Sequence, residues 1–206
     1  MKDFKKIKNK ICYRLVNYEA NKEVLLEYAH VKVLDLAILF YYKQEEGLKE
    51  GAIRIISARD CQKWDVSVEE LYKVAKENSV ELLPSIFQTI EQVIGDIANE
   101  ENLSFTCDEE PRERMYVLTN EEKYFGAGCF LYPQMLENIA KRLKGEFFIL
   151  PSSIHECIIM PDVGSVTASN LKSLVAEMNE QFLEPGEMLS NCVYHYDCEK
   201  SELALV

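Results

Sequence analysis

Apolar positions recur along this chain with two periods, and the chain switches repeatedly between them. Leu36–Tyr42 is wholly apolar, Ala52–Ile56 is mostly so, and the polar stretch Glu45–Gly51 between them carries two glycines. This pattern predicts two strands around a loop. Ser67-Val68-Glu69-Glu70 has the form of a capping box, with a serine at the cap and a glutamate three residues on. It predicts a helix running through Tyr72, Val74 and Ala75 towards Val80. After Pro84, residues Ile86, Phe87, Ile90, Val93, Ile94 and Ile97 fall on one helical face and predict a second amphipathic helix.

The second half repeats the alternation. Asn99–Arg114 is polar and charged, and reads as a linker or long surface loop. Met115–Thr119 and Gly126–Leu131 predict a hairpin. Pro133 starts a helix through Met135, Leu136, Ile139, Ala140 and Leu143, with Gly145 as its stop. Phe147–Leu150 and Glu156–Met160 predict another hairpin. A helix through Leu171, Leu174, Val175, Met178 and Phe182 follows and stops near Pro185-Gly186; Val193–Asp197 and Leu203–Val206 close the chain as a final hairpin. Hairpins mixed with helices, without regular strand–helix–strand units, predict an α+β fold with a mainly antiparallel sheet. The division expected is 1–98, a connection over 99–114, and 115–206, packed as one globular domain.

Charge narrows the partners. The 206 residues carry a formal net charge of −12, which disfavours binding to a phosphate backbone. The first ten residues run the other way, with Lys2, Lys5, Lys6, Lys8 and Lys10 against Asp3. Phe4, Ile7 and Ile11 recur among these lysines at helical spacing, which predicts a short helix docked on the body by its apolar side. The alternative is a basic arm for an anionic partner or membrane surface. No export signal is seen, and the longest apolar run is too short to span a bilayer. Seven scattered cysteines, an odd number, fit free thiols in a reducing cytoplasm. The expected partner is a protein or a small molecule; no cofactor and no metal is expected.

Candidate chemistry concentrates in Pro151-Ser152-Ser153-Ile154-His155-Glu156. Ser152 or Ser153 as nucleophile, His155 as base and Glu156 as its orienting group would make a small hydrolase or transferase. Neighbouring residues of a strand point to opposite faces, so a direct His155–Glu156 partnership is strained. No Gly-x-Ser-x-Gly elbow is present. The competing role is structural: Pro151 and the serines build the turn, and His155 and Glu156 satisfy its backbone. Cys192-Val193-Tyr194-His195-Tyr196-Asp197-Cys198 has a metal-like spacing. Strand alternation nevertheless puts His195 on the face opposite the cysteines, and no Cys-x2-Cys pair supports it. Gly126-Ala127-Gly128 reads as small residues for close packing rather than a phosphate loop.

Several segments together carry a resemblance. They are Leu15-Val16-Asn17-Tyr18-Glu19, Asp35-Leu36-Ala37, Met115-Tyr116-Val117-Leu118-Thr119-Asn120, Leu150-Pro151-Ser152-Ser153-Ile154-His155-Glu156 and Val193-Tyr194-His195-Tyr196-Asp197. In this order, over nearly the whole chain, they resemble a family of bacterial proteins catalogued as domain of unknown function 5688. From about Met115 onward the order of elements is also similar to a second bacterial family. The resemblance implies a cytosolic bacterial protein and supplies no activity, substrate or cofactor. The residues favour a non-enzymatic binding or interaction module, with the Ser/His hydrolase as the alternative.

Overall fold

The computed structural model describes residues 4–44, 52–99, 114–151, 153–184 and 186–206. The chain is α+β with antiparallel sheets. It divides into two compact units, Met1–Pro84 and Ser85–Val206. Residues 85–98, grouped above with the N-terminal half, belong by contact to the second unit. Loop 45–51 and most of the 99–114 connection lie outside the described residues.

In the first unit the apolar run becomes β3 (Leu36–Lys43), buried throughout Leu36–Tyr42. β1 (Cys12–Asn17) pairs along one of its edges. β2 (His30–Val33) and β4 (Ile53–Ile55) take successive stretches of the other. Continuous burial on both faces explains why its sequence does not alternate. The segment opening the chain forms α1 (Phe4–Ile7) and a 3-10 turn, Lys8–Lys10. Phe4, Ile7 and Ile11 are buried, while Lys5, Lys6 and Lys8 are exposed. Asn78 Nδ2 fastens it by donating to the Lys8 and Ile11 carbonyls at 2.7 and 2.9 Å.

Two serine caps start the helices after β4. α2 (Lys22–Leu25) is a single turn between β1 and β2. α3 (Ala58–Trp64) opens on a reciprocal box: Ser57 Oγ accepts from the Asp60 N–H, and Asp60 Oδ2 accepts from the Ser57 N–H. α4 (Val68–Leu82) opens on Ser67 as expected, its Oγ accepting from the Glu70 N–H at 3.1 Å. The carboxylate that returns to this cap is Glu69's, held below its usual range by its own backbone N–H and the Ser67 hydroxyl.

The second unit is a six-stranded sheet. Its strands are β5 (Ser85–Thr89), β6 (Tyr116–Asn120), β7 (Phe147–Leu150), β8 (Cys157–Pro161), β9 (Tyr194–Asp197) and β10 (Glu202–Leu205), in the spatial order β10-β9-β7-β8-β6-β5. Two expectations are corrected here. Ile86 and Phe87 lie in β5, not in a helix. The helix α5 (Ile90–Asn99) begins only where Thr89 and Gln92 cap each other, Thr89 Oγ1 accepting the Gln92 N–H and Gln92 Oε1 accepting the Thr89 N–H. Gly126–Leu131 is a 3-10 helix, not a strand. Phe125 turns the chain there with a left-handed backbone (φ 57°), and Gly126 packs too tightly for a ladder.

The two sheet faces are covered differently. Tyr116, Leu118, Phe147, Ile149, Cys157, Ile159, Tyr194 and Tyr196 share one face by register. Phe130 of the 3-10 helix meets Tyr194 there, and Arg142 of α6 (Met135–Leu143) lies over the Phe87 and Tyr116 rings. On the other face Phe148, Leu150 and Val193 pack with Leu171 and Val175 of α7 (Ala168–Phe182), joined by Ile158 and Met160. Among the described residues no helix is long and apolar enough to cross a membrane.

Candidate functional site

The β7–β8 hairpin pairs Phe147 with Pro161 and Phe148 with Met160. Carried one residue past Phe147, the register sets Glu146 beside Asp162, and the Asp162 N–H donates to the Glu146 carbonyl at 2.9 Å. β9 lies on the other side of β7 and pairs His195 with Phe148. Strand alternation turns Tyr194 and Tyr196 into the core and His195 to the α7 face. Glu146, just before β7, and Asp162, just after β8, thus converge on His195 within β9.

The geometry is close. His195 Nε2 lies 3.2 Å from Asp162 Oδ2 and 3.5 Å from Glu146 Oε2. One potential ligand atom from each residue falls within 4.8 Å of the others. The Phe148 ring, 4.9 Å from the imidazole, sets one side of its position. Asp162 Oδ1 accepts the Gly164 N–H at 2.9 Å, which fixes the carboxylate plane. All three side chains are partly buried, His195 most at 18% exposed. Beside them opens a cavity of about 280 Å³ whose wall includes Arg114, Phe148, Met160, Asp162, Ser165 and Val166. Asp162 belongs to both.

The Pro-Ser-Ser-x-His-Glu turn is organised otherwise. Ser152 lies outside the described residues. Ser153 is buried, and its Oγ accepts the backbone N–H of His155 at 3.0 Å. His155 and Glu156 sit in the turn ahead of β8 rather than within the strand. The His155 imidazole faces the segment after β6. Its Nδ1 accepts the Phe125 N–H at 3.3 Å, its ring lies parallel to that of Phe125, and its Nε2 is 3.9 Å from Glu187 Oε1. The Phe125 bond puts the ring proton on Nε2, towards Glu187. His155's backbone carbonyl accepts the Thr119 hydroxyl at 2.8 Å. The turn therefore bolts β8 to β6 and the 3-10 helix.

Beneath it lie two buried thiols. Burial pushes the Cys129 thiol up to about 12, and burial, then Cys129 and Glu156 nearby, push Cys157 well above its ordinary value. Cys157 Sγ donates to the Ala127 carbonyl. Neither is a nucleophile in this state. Cys192 and Cys198 flank β9, half-exposed; among the described residues the one group of three metal-ligating side chains is Glu146, Asp162 and His195. Sequence reasoning weighed His195 only against its own neighbours. The available signal was the hairpin register, which sets the two acids opposite each other just past the Phe147–Pro161 pair.

A family model described as a family of unknown function, DUF5688, matches residues 1–198, and the chain belongs to that family. No curated protein and no solved structure matches it.

Proposed function

We propose that this chain is a non-enzymatic binding module whose second unit takes a small ligand on the α7 face of its sheet. The observation that carries this reading is the cavity of about 280 Å³ at the end of β8, with apolar walls from Phe148, Met160 and Val166 and polar groups from Arg114 and Asp162. Ligand sites combine these features, an apolar body with a few fixed polar groups, at roughly 300–1,000 Å³. The size suits a small molecule or a single side chain of a partner. Binding is favoured over hydrolysis because Ser153 Oγ and His155 Nδ1 both accept backbone N–H groups, which serves the turn.

The test is a saturation-transfer NMR screen of a small fragment library against the purified chain and its Ser165→Trp variant. Ser165 is exposed at the cavity wall, so the indole fills space without disturbing the core. Hits on the wild type that disappear in the variant are expected. An unchanged set of hits, or none, overturns the cavity as the site.

A further inference from the structure

We propose that Glu146, Asp162 and His195 bind one divalent transition-metal ion. Three arguments carry this. The first is edge length. A zinc-like ion sits about 2.0–2.2 Å from nitrogen and oxygen ligands, so neighbouring ligand atoms lie about 3.0–3.5 Å apart in octahedral or tetrahedral arrangements. His195 Nε2 stands 3.2 Å from Asp162 Oδ2 and 3.5 Å from Glu146 Oε2. Both edges from the imidazole nitrogen already have that length, and one ligand atom from each of the three residues lies within 4.8 Å of the others.

The second argument is the donor set. Two carboxylates are held against one ring nitrogen. A single N–H on that nitrogen serves one carboxylate well and the other poorly, whereas a dication neutralises both charges and engages all three groups. One imidazole with two carboxylates suits Zn²⁺, Mn²⁺ or Fe²⁺ better than Mg²⁺, which keeps to oxygen ligands and water. The third argument is support behind the ligands. The Gly164 N–H holds the second oxygen of Asp162, the Asp162 N–H is bonded to the Glu146 carbonyl, and Phe148 backs the imidazole. Metal sites orient their ligands through such outer contacts. Three protein ligands leave further coordination positions, and Asp162 also lines the cavity, so a bound cation borders the space available to a ligand. The competing cations nearby are Arg114, which lines the cavity with Asp162, and Lys200, whose ammonium is held by Asp197.

The experiment is calorimetric titration of the full chain, first stripped with a chelator, using zinc, manganese and magnesium chlorides separately. Metal content of the zinc-loaded protein is measured in parallel. One equivalent of zinc or manganese is expected, bound much more tightly than magnesium. Outer contacts alone are worth roughly 10–100-fold in metal affinity, so Asp162→Asn and His195→Gln should each cost at least that much. Glu146→Gln, at the most exposed ligand, gives a variant whose fold does not depend on the change. His155→Gln should bind like the wild type. Ser165→Trp should keep the metal while losing fragments, so this proposal and the cavity reading fail separately. Absence of saturable zinc or manganese binding up to about 1 mM, a binding energy of about 4 kcal/mol, overturns the proposal. So does binding that survives all three ligand substitutions.

Discussion

The Thr119 hydroxyl reaches across the sheet to the His155 carbonyl at 2.8 Å, and Gly126 packs against that bond. A Cβ at Gly126 would collide with Thr119 Oγ1 and sit 2.6 Å from both Asn120 N and His155 O. Two of these neighbours are backbone atoms and cannot step aside. Gly126→Ala is therefore expected to destabilise the second unit by about 3 kcal/mol, the upper part of the range for overpacked cores. Chemical denaturation followed by far-ultraviolet circular dichroism checks this; a loss under about 0.5 kcal/mol, the level of a neutral surface change, would refute it.

The Ser153–His155 pair separates the structural from the catalytic role of the turn. Ser153→Ala removes the acceptor of the His155 N–H and should cost about 1 kcal/mol, the usual worth of one such bond. His155→Ala strips the acceptor from the Phe125 N–H and removes a ring stacked on Phe125; about 1–3 kcal/mol is expected. A fluorophosphonate probe should leave the wild-type chain unlabelled. Labelling of Ser152 or Ser153 that disappears in His155→Ala would restore the hydrolase reading.

Asp60 ties the first unit's stability to pH. Burial pushes its carboxyl up, but the Ser57 hydroxyl and N–H, with Arg54 at 3.3 Å, more than offset this and hold it below its ordinary value. A depressed carboxyl contributes stability that is fully present above its unfolded pKa of about 3.9 and is lost as pH falls through the lower folded value. Asp60→Asn should cost about 1–2 kcal/mol at pH 7 and show a shallower decline below about pH 4. Urea unfolding at several pH values, read from the fluorescence of the one tryptophan, Trp64, tests both parts. Parallel pH profiles for the two proteins would contradict the assignment.

Thiol accessibility should follow burial. Alkylation near pH 8 is expected to mark Cys192 and Cys198 first, and to reach Cys129 and Cys157 only with denaturant. Peptide mass mapping over time gives the order. Early modification of Cys157 would mean that the 3-10 cover opens in the native state.

Much of the fold was legible because the period of the apolar residues was unambiguous. Phe147–Leu150 with the following apolar run, and Val193–Asp197 with Leu203–Val206, read as hairpins and are hairpins. The helix through Leu171 and Val175 is equally clear. Ile86 and Phe87 misled because two adjacent apolar residues fit either period, and the Thr89–Gln92 cap that divides strand from helix was not recognised. Gly126–Leu131 misled because Gly126 answers to a close contact with Thr119, Asn120 and the distant His155. The same reason hid Glu146 and Asp162. Along the sequence each is a lone acid next to an apolar strand, and only the pairing of β7 with both β8 and β9 brings them to His195.

The strand order of the second unit also sets a timetable for its assembly. β7 with β8, and β9 with β10, close through short local turns. β6 has no such neighbour on its inner edge, because Tyr116 pairs with Ile159 after the whole 3-10 helix, α6 and β7 have intervened. On a growing chain β5 and β6 form at best an isolated ribbon, which is marginal in water, until β8 is made. Distant pairings of this kind slow folding, since the loop must close before its contacts repay the entropy. The Pro-Ser-Ser-x-His-Glu turn immediately precedes β8, and Thr119 and Gly126 are the groups that receive it. Its residues are thus placed to lock the late-arriving strand against the waiting one, a role in the molecule's biosynthesis that would constrain this turn whatever the mature protein binds.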